Sequence, residues 1–167
     1  MKHLKTLLVG AGVLVASTGL ASAATTPPVN MPISLVIGSS CSVTAAAMTF
    51  PATFSLTTAV SSPAAIVAVT CSSGTSYTMT IGPGANRIPN GNRQLKRDGA
   101  LDTDTKIPYT LTRVTGGNDE YPVGTPTPTL TGTGAAQNYN IFGFIPVMAT
   151  TPAVGTYRDT VAITVDY

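Results

Sequence analysis

Residues 155–167 read GTYRDTVAITVDY, with Tyr157, Asp159, Val161, Ile163, Val165 and Tyr167 on one side of a two-residue period. Alternation of that kind predicts a half-buried strand. Because this one runs to the last residue, no later segment would pair its other edge. The same signal recurs upstream. Residues 139–147 are mostly apolar and aromatic, 107–113 alternate, 77–81 alternate, and 64–71 are rich in β-branched residues and end on a cysteine. The short Ser-Ser-Gly turn at 72–74 predicts a hairpin between 64–71 and 77–81. With 41–50 and 52–56 as opening strands there are six or seven in all, with no βαβ alternation, so the expected fold class is all-β, an antiparallel β-sandwich. Two connections, 82–105 and 115–137, are too rich in turn residues to be core. Within the second, the Thr-Pro alternation at 125–129 predicts extended chain. There is no internal repeat and no second domain.

The first residues, MKHLKTLLVGAGVLVASTGLASA, combine a basic start, a short apolar run and a small-x-small end. These are the parts of a secretory signal peptide, expected over residues 1–23. The apolar run is shorter than the roughly 20 residues of a membrane span. Export leaves 144 of the 167 residues, enough for one domain with a core. It also removes Lys2, Lys5 and the only histidine, His3, so nine Lys plus Arg against seven Asp plus Glu becomes seven against seven. A neutral domain has no long-range field to gather nucleic acid or acidic lipid. Charged residues are 10% of the chain, against roughly 25% in ordinary soluble domains, and so weakly charged a surface favours association. The two cysteines, Cys41 and Cys71, predict one disulfide in an oxidising compartment. A metal or redox pair would need a CxxC motif or a histidine partner, and the exported chain has neither.

Little catalytic chemistry is available. Without histidine or a free thiol the commonest bases and nucleophiles are gone. Lys96 and Lys106 could serve a Ser/Lys pair, but no serine sits in a GxSxG elbow. Asp102 and Asp104 form a DxD pattern without the glycine and further ligands of an EF-hand loop, so their plainer reading is loop solvation. The run Gly82-Pro-Gly84 is a turn and not a phosphate loop. Arg87, Arg93, Lys96 and Arg97 form the densest basic cluster; acids follow at once and no aromatics interleave, which predicts a solvated loop and no nucleic-acid partner. Phe142, Phe144 and Tyr157 fit core positions. No cofactor, metal or small-molecule substrate is expected.

A second conspicuous strand lies at the other end of the chain, where residues 29–37 read VNMPISLVI. Its apolar side chains recur at every odd position. The closing GTYRDTVAITVDY, YNIFGFIP at 139–146, VTC before YTMTIGPG, and a cysteine after an alternating N-terminal segment together resemble the spore coat protein U domain family, which includes subunits of archaic, Csu-type chaperone-usher pili. That resemblance implies an immunoglobulin-like sandwich lacking its last strand and completed by donor-strand complementation. It implies a donor segment and hinge at 24–40 and a pilin domain at 41–167. Val29, Met31, Ile33, Leu35 and Ile37 would enter a neighbour's groove, Gly38, Ser39 and Ser40 would form the hinge, and Val161, Ile163, Val165 and Tyr167 would line the groove edge. The implied partners are further copies of this chain, other pilus subunits, a periplasmic chaperone and an outer-membrane usher. The implied location is a surface pilus reached through the periplasm, serving attachment and biofilm formation.

Burying five such side chains is worth on the order of 10 kcal/mol before entropy is subtracted. Pro32 stands out, since it cannot donate to a ladder. Two other readings remain at this level. Residues 29–37 could be the first strand of a self-contained secreted coat protein, and Asp102 with Asp104 could serve a carboxylate hydrolase.

Overall fold

The computed structural model describes residues 25–88, 91–101, 104–150 and 152–167. The chain divides into two units at Val36/Ile37. Residues 25–36 of the first carry no helix or strand. The expected signal peptide lies outside the described residues.

The second unit is an antiparallel β-sandwich, and no helix occurs among the described residues. The larger sheet holds β1 (Cys41–Ala45), β2 (Val60–Ser61), β3 (Ala65–Cys71), β5 (Arg93–Arg97), β6 (Ile107–Thr112), β8 (Ala136–Ile145) and β9 (Tyr157–Arg158). Its order is β1-β3-β8-β6-β5-β9, with β2 paired to β8. The smaller sheet holds β4 (Ser76–Ile81), β7 (Leu130–Thr131) and β10 (Ile163–Asp166), in the order β10-β4-β7. Alternation does what it should on both sheets. Val67, Val69 and Cys71 of β3 and Tyr77, Met79 and Ile81 of β4 are all buried, joined by Leu111 and Ile141. At Gly143 on β8 a methyl group would run into the Phe50 ring and the Met48 sulfur, so the approach of residues 48–50 depends on a bare backbone there.

Several expectations are corrected. β3 and β4 are not a hairpin: β3 pairs with β1 and β8, while β4 pairs with β10 and β7. Their connection is a corner between sheets, held where Ser72 N–H donates to Ser40 O and Gly74 N–H to Gly132 O, both at 2.9 Å. Turn chemistry announces a reversal, and only distant partners decide whether both arms share a sheet. The strand expected over 41–50 stops at Ala45, and 52–56 is irregular. The connection 82–105 contains β5, and 115–137 contains β7, the start of β8 and the buried Tyr121. In the Thr-Pro stretch, expected to be extended, Pro126 is bridged to Thr80 and the chain bends at Pro128. Phe142 and Phe144 lie half-buried on the face of β8 opposite the core residues Ile141 and Ile145, and only Tyr157 packs against the core.

Candidate functional site

The closing segment is also two strands, not one. Tyr157 and Arg158 pair with β5 in the larger sheet, and Ile163 to Asp166 pair with β4 in the smaller one. Asp159 marks the change of sheet. Its Oδ1 accepts hydrogen bonds from the Ala85 and Asn86 backbone N–H groups at 2.9 and 3.1 Å and from Asn86 Nδ2 at 3.2 Å, and its Oδ2 accepts from Tyr109 Oη at 2.7 Å. A Cβ on Gly84, whose φ of 83° favours glycine, would collide with that carboxylate. A carboxylate on the core-facing row of an apolar strand is the signal that could have located this corner from sequence.

The corner delivers β10 to the rim of a cavity of about 1050 Å³. Val67, Leu111, Ile141 and Ile145 belong to its lining, together with Met48, Phe50 and Leu56 from the irregular segment after β1, and with Val161 and Ile163. Tyr109 and Asp159 supply a polar contact within the same lining. The site is therefore a mostly apolar groove, with Arg158 and Asp159 as the charged residues among its described lining. Among the described residues no group of three His, Cys, Asp or Glu side chains could hold a metal ion. Asp102 lies outside the described residues, and Asp104 forms an ion pair with Arg97 at 3.3 Å.

Two edge strands border this region. β1 is hydrogen-bonded to β3 alone and β10 to β4 alone, and the two are neighbours in space without being ladder partners. Their inward rows are poorly covered. Val43 faces across the ladder to Val69, which is 0% exposed, yet Val43 itself is 36% exposed. Ile163 and Val165 are opposite the buried Ile81 and Met79 but are only half-buried, as is Val161, and Tyr167 is 61% exposed. Both core-facing rows stop short of closure at adjacent edges.

The other predicted site residues fall as follows. Cys41 and Cys71 form a disulfide across a β1–β3 pair in register. Val29, Met31, Ile33, Leu35 and Ile37 are between 78% and 93% exposed. Gly38, Ser39 and Ser40 are exposed and outside any strand. At Gly38 an added Cβ meets nothing within 4 Å, so no steric demand for glycine supports the hinge there.

Arg93 corrects the solvated-loop reading of the basic cluster. Its side chain is fully buried, donating from Nε to Gly82 O at 2.9 Å, from Nη2 to Ile81 O at 3.0 Å and from Nη1 to Tyr121 O at 3.2 Å, with Glu120 Oε1 at 3.8 Å. Burial holds its pKa below the usual guanidinium value, opposed by Tyr109, Glu120 and Asp159. It remains a cation, and it ties the end of β4 to the 119–124 loop. Burial, then the bond to Asp159, pushes the Tyr109 phenol up.

Taken together, these features define a class: a disulfide-linked antiparallel sandwich with an apolar groove and two adjacent unpaired edges. The spore coat protein U domain matches residues 28–164, and the chain belongs to that family. It is also similar in fold to a chain in the crystal structure of the CsuC–CsuE chaperone–tip adhesion subunit pre-assembly complex from archaic chaperone-usher Csu pili of Acinetobacter baumannii. That match has a TM-score of 0.55 and 24% identity, and covers 78% of this chain and 40% of that one. This chain therefore spans about two fifths of the length of that relative. None of the curated proteins matches it.

Proposed function

We propose that this protein is a structural shaft subunit of an archaic chaperone-usher pilus that polymerises by donor-strand exchange. The observation carrying this reading is the poor cover of the inward rows of β1 and β10 at two adjacent unpaired edges. A strand inserted there hydrogen-bonds through its backbone and buries alternate side chains. Residues 29–37 have the required pattern, and their apolar row is exposed. The segment at 24–40 is the donor and hinge, and 41–167 is the acceptor domain. The subunit is exported behind the 1–23 signal peptide, held by a periplasmic chaperone at the groove, assembled by an outer-membrane usher and presented on the cell surface, where a neutral Thr-rich exterior serves attachment and biofilm formation. Its work is mechanical and not enzymatic.

The test is Leu35→Asp in the full chain, imaged on cells and run unheated on a denaturing gel. A charge in an apolar groove costs several kcal/mol, so filaments and the heat-sensitive ladder of multimers disappear. Normal filaments in this variant overturn the reading. A self-contained coat protein would run as a single band at any temperature, with or without the substitution.

A further inference from the structure

A sandwich that accepts strands at one place must refuse them elsewhere, since any open edge is a template for another chain. The distant edge of the larger sheet is β9, only two residues long, which carries Arg158 and pairs with Lys96 and Arg97 of β5, with Arg158 ion-paired to Asp98 at 3.0 Å. Short length and charge both discourage strand addition.

The distant edge of the smaller sheet lacks charge and is guarded differently. Residues 124–131 run along β4: Gly124 N–H donates to Ile81 O at 3.0 Å, Thr127 N–H to Met79 O at 2.9 Å, and Leu130 and Thr131 pair with Tyr77 and Ser76. Thr127 Oγ1 also accepts from Met79 N–H at 3.0 Å, so this residue bonds inward through backbone and side chain. Donor directions alternate along an extended strand. With Pro126 bridged to Thr80 and the Thr127 N–H aimed at β4, a donor at 126 would point to the free edge, and at 128 the chain bends. Both positions are prolines, Pro126 and Pro128, both exposed and neither with an N–H to offer.

We infer that Pro126, with Pro128 at the bend beside it, is a specificity-determining residue for assembly: by removing an outward donor of the 124–131 edge it confines strand addition to the groove side, which makes the polymer linear. The inference rests on the donor-strand reading of the groove. It is tested with P126V/P128V in the full chain, alone and combined with L35D, by light scattering at equal concentration and by electron microscopy. P126V/P128V is expected to raise scattering several-fold and to give branched or laterally matted assemblies. The triple variant is expected to keep that scattering while losing filaments, because the new edge pairs with its counterpart on a second copy without any donor. Unbranched filaments and unchanged scattering from a P126V/P128V protein whose circular dichroism is native overturn the inference. Filaments persisting in L35D alone overturn the donor reading instead, while the scattering of P126V/P128V still decides the edge. If the double substitution unfolds the chain, P126V alone is scored by the same criteria. Unfolding of both also overturns the inference, since the prolines then serve the fold.

Discussion

Arg93 is where residue-scale chemistry bears most on this fold. A fully buried cation is tolerated because three carbonyls surround it, one of which, Ile81 O, also accepts from Gly124 N–H at 3.0 Å. Arg93→Met removes the charge and strands Gly82 O and Tyr121 O, while Ile81 O keeps the Gly124 N–H. Leaving two buried acceptors unsatisfied should lower the unfolding free energy by about 3 kcal/mol, measured as a fall in the urea midpoint at constant slope. Tyr77 gives a pH prediction. Burial, and then the hydrogen bond to Tyr139 at 2.6 Å, raise its pKa from 10.0 to about 12. The folded state thus keeps a proton that the unfolded chain loses above 10.0, so stability from this group is complete below pH 10.0 and is lost as pH rises towards about 12. Thermal melts across that window should decline less steeply in Tyr77→Phe.

Among the elements, β1 and β10 are each fastened along one side only. β1 depends on its ladder with β3 and on the Cys41–Cys71 bridge at its first residue. Cys41→Ser with Cys71→Ser opens a loop of separation 30 and should cost roughly 3 to 4 kcal/mol in the chain-entropy account, read in the same urea titration. β10 depends on β4 and on the corner at Asp159. Asp159→Ala withdraws the acceptor of four hydrogen bonds, two from backbone N–H groups, and should destabilise by about 2 kcal/mol. If the corner positions β10, the 163–166 amides will exchange with solvent much faster in this variant while those of β3 and β8 change little. Uniform acceleration across all strands would assign Asp159 a global role instead.

At the scale of the whole molecule, the two open edges face the same region and the two far edges are closed, one by brevity and charge and one by proline. An end-to-end polymer follows from such a distribution when each chain carries its own donor. Deleting residues 24–38 should therefore leave a folded acceptor that cannot extend a filament. Supplied as a separate peptide, residues 25–38 should raise the acceptor's melting temperature in proportion to the logarithm of peptide concentration once sites are saturated. No rise at any concentration would count against the groove as the docking place.

Period-two alternation identified the strands at 77–81 and 107–113, and β-branched content the strand at 64–71, and with them the all-β class, because side-chain direction and backbone preference along a strand are local properties. The cysteine pair was legible from the count alone: two cysteines in a chain expected to be exported have one another. Partnership was not legible. The 72–74 turn looked like a hairpin and is a corner between sheets, and residues 155–167 looked like one strand and are two, because sheet membership is decided by residues far away in sequence, among them Ala85, Asn86 and Tyr109 at Asp159. Arg93 read as solvent-exposed until three carbonyls from two other segments were brought around it. The groove likewise belongs to tertiary structure, since an uncovered row of side chains exists only once every other row has found its cover.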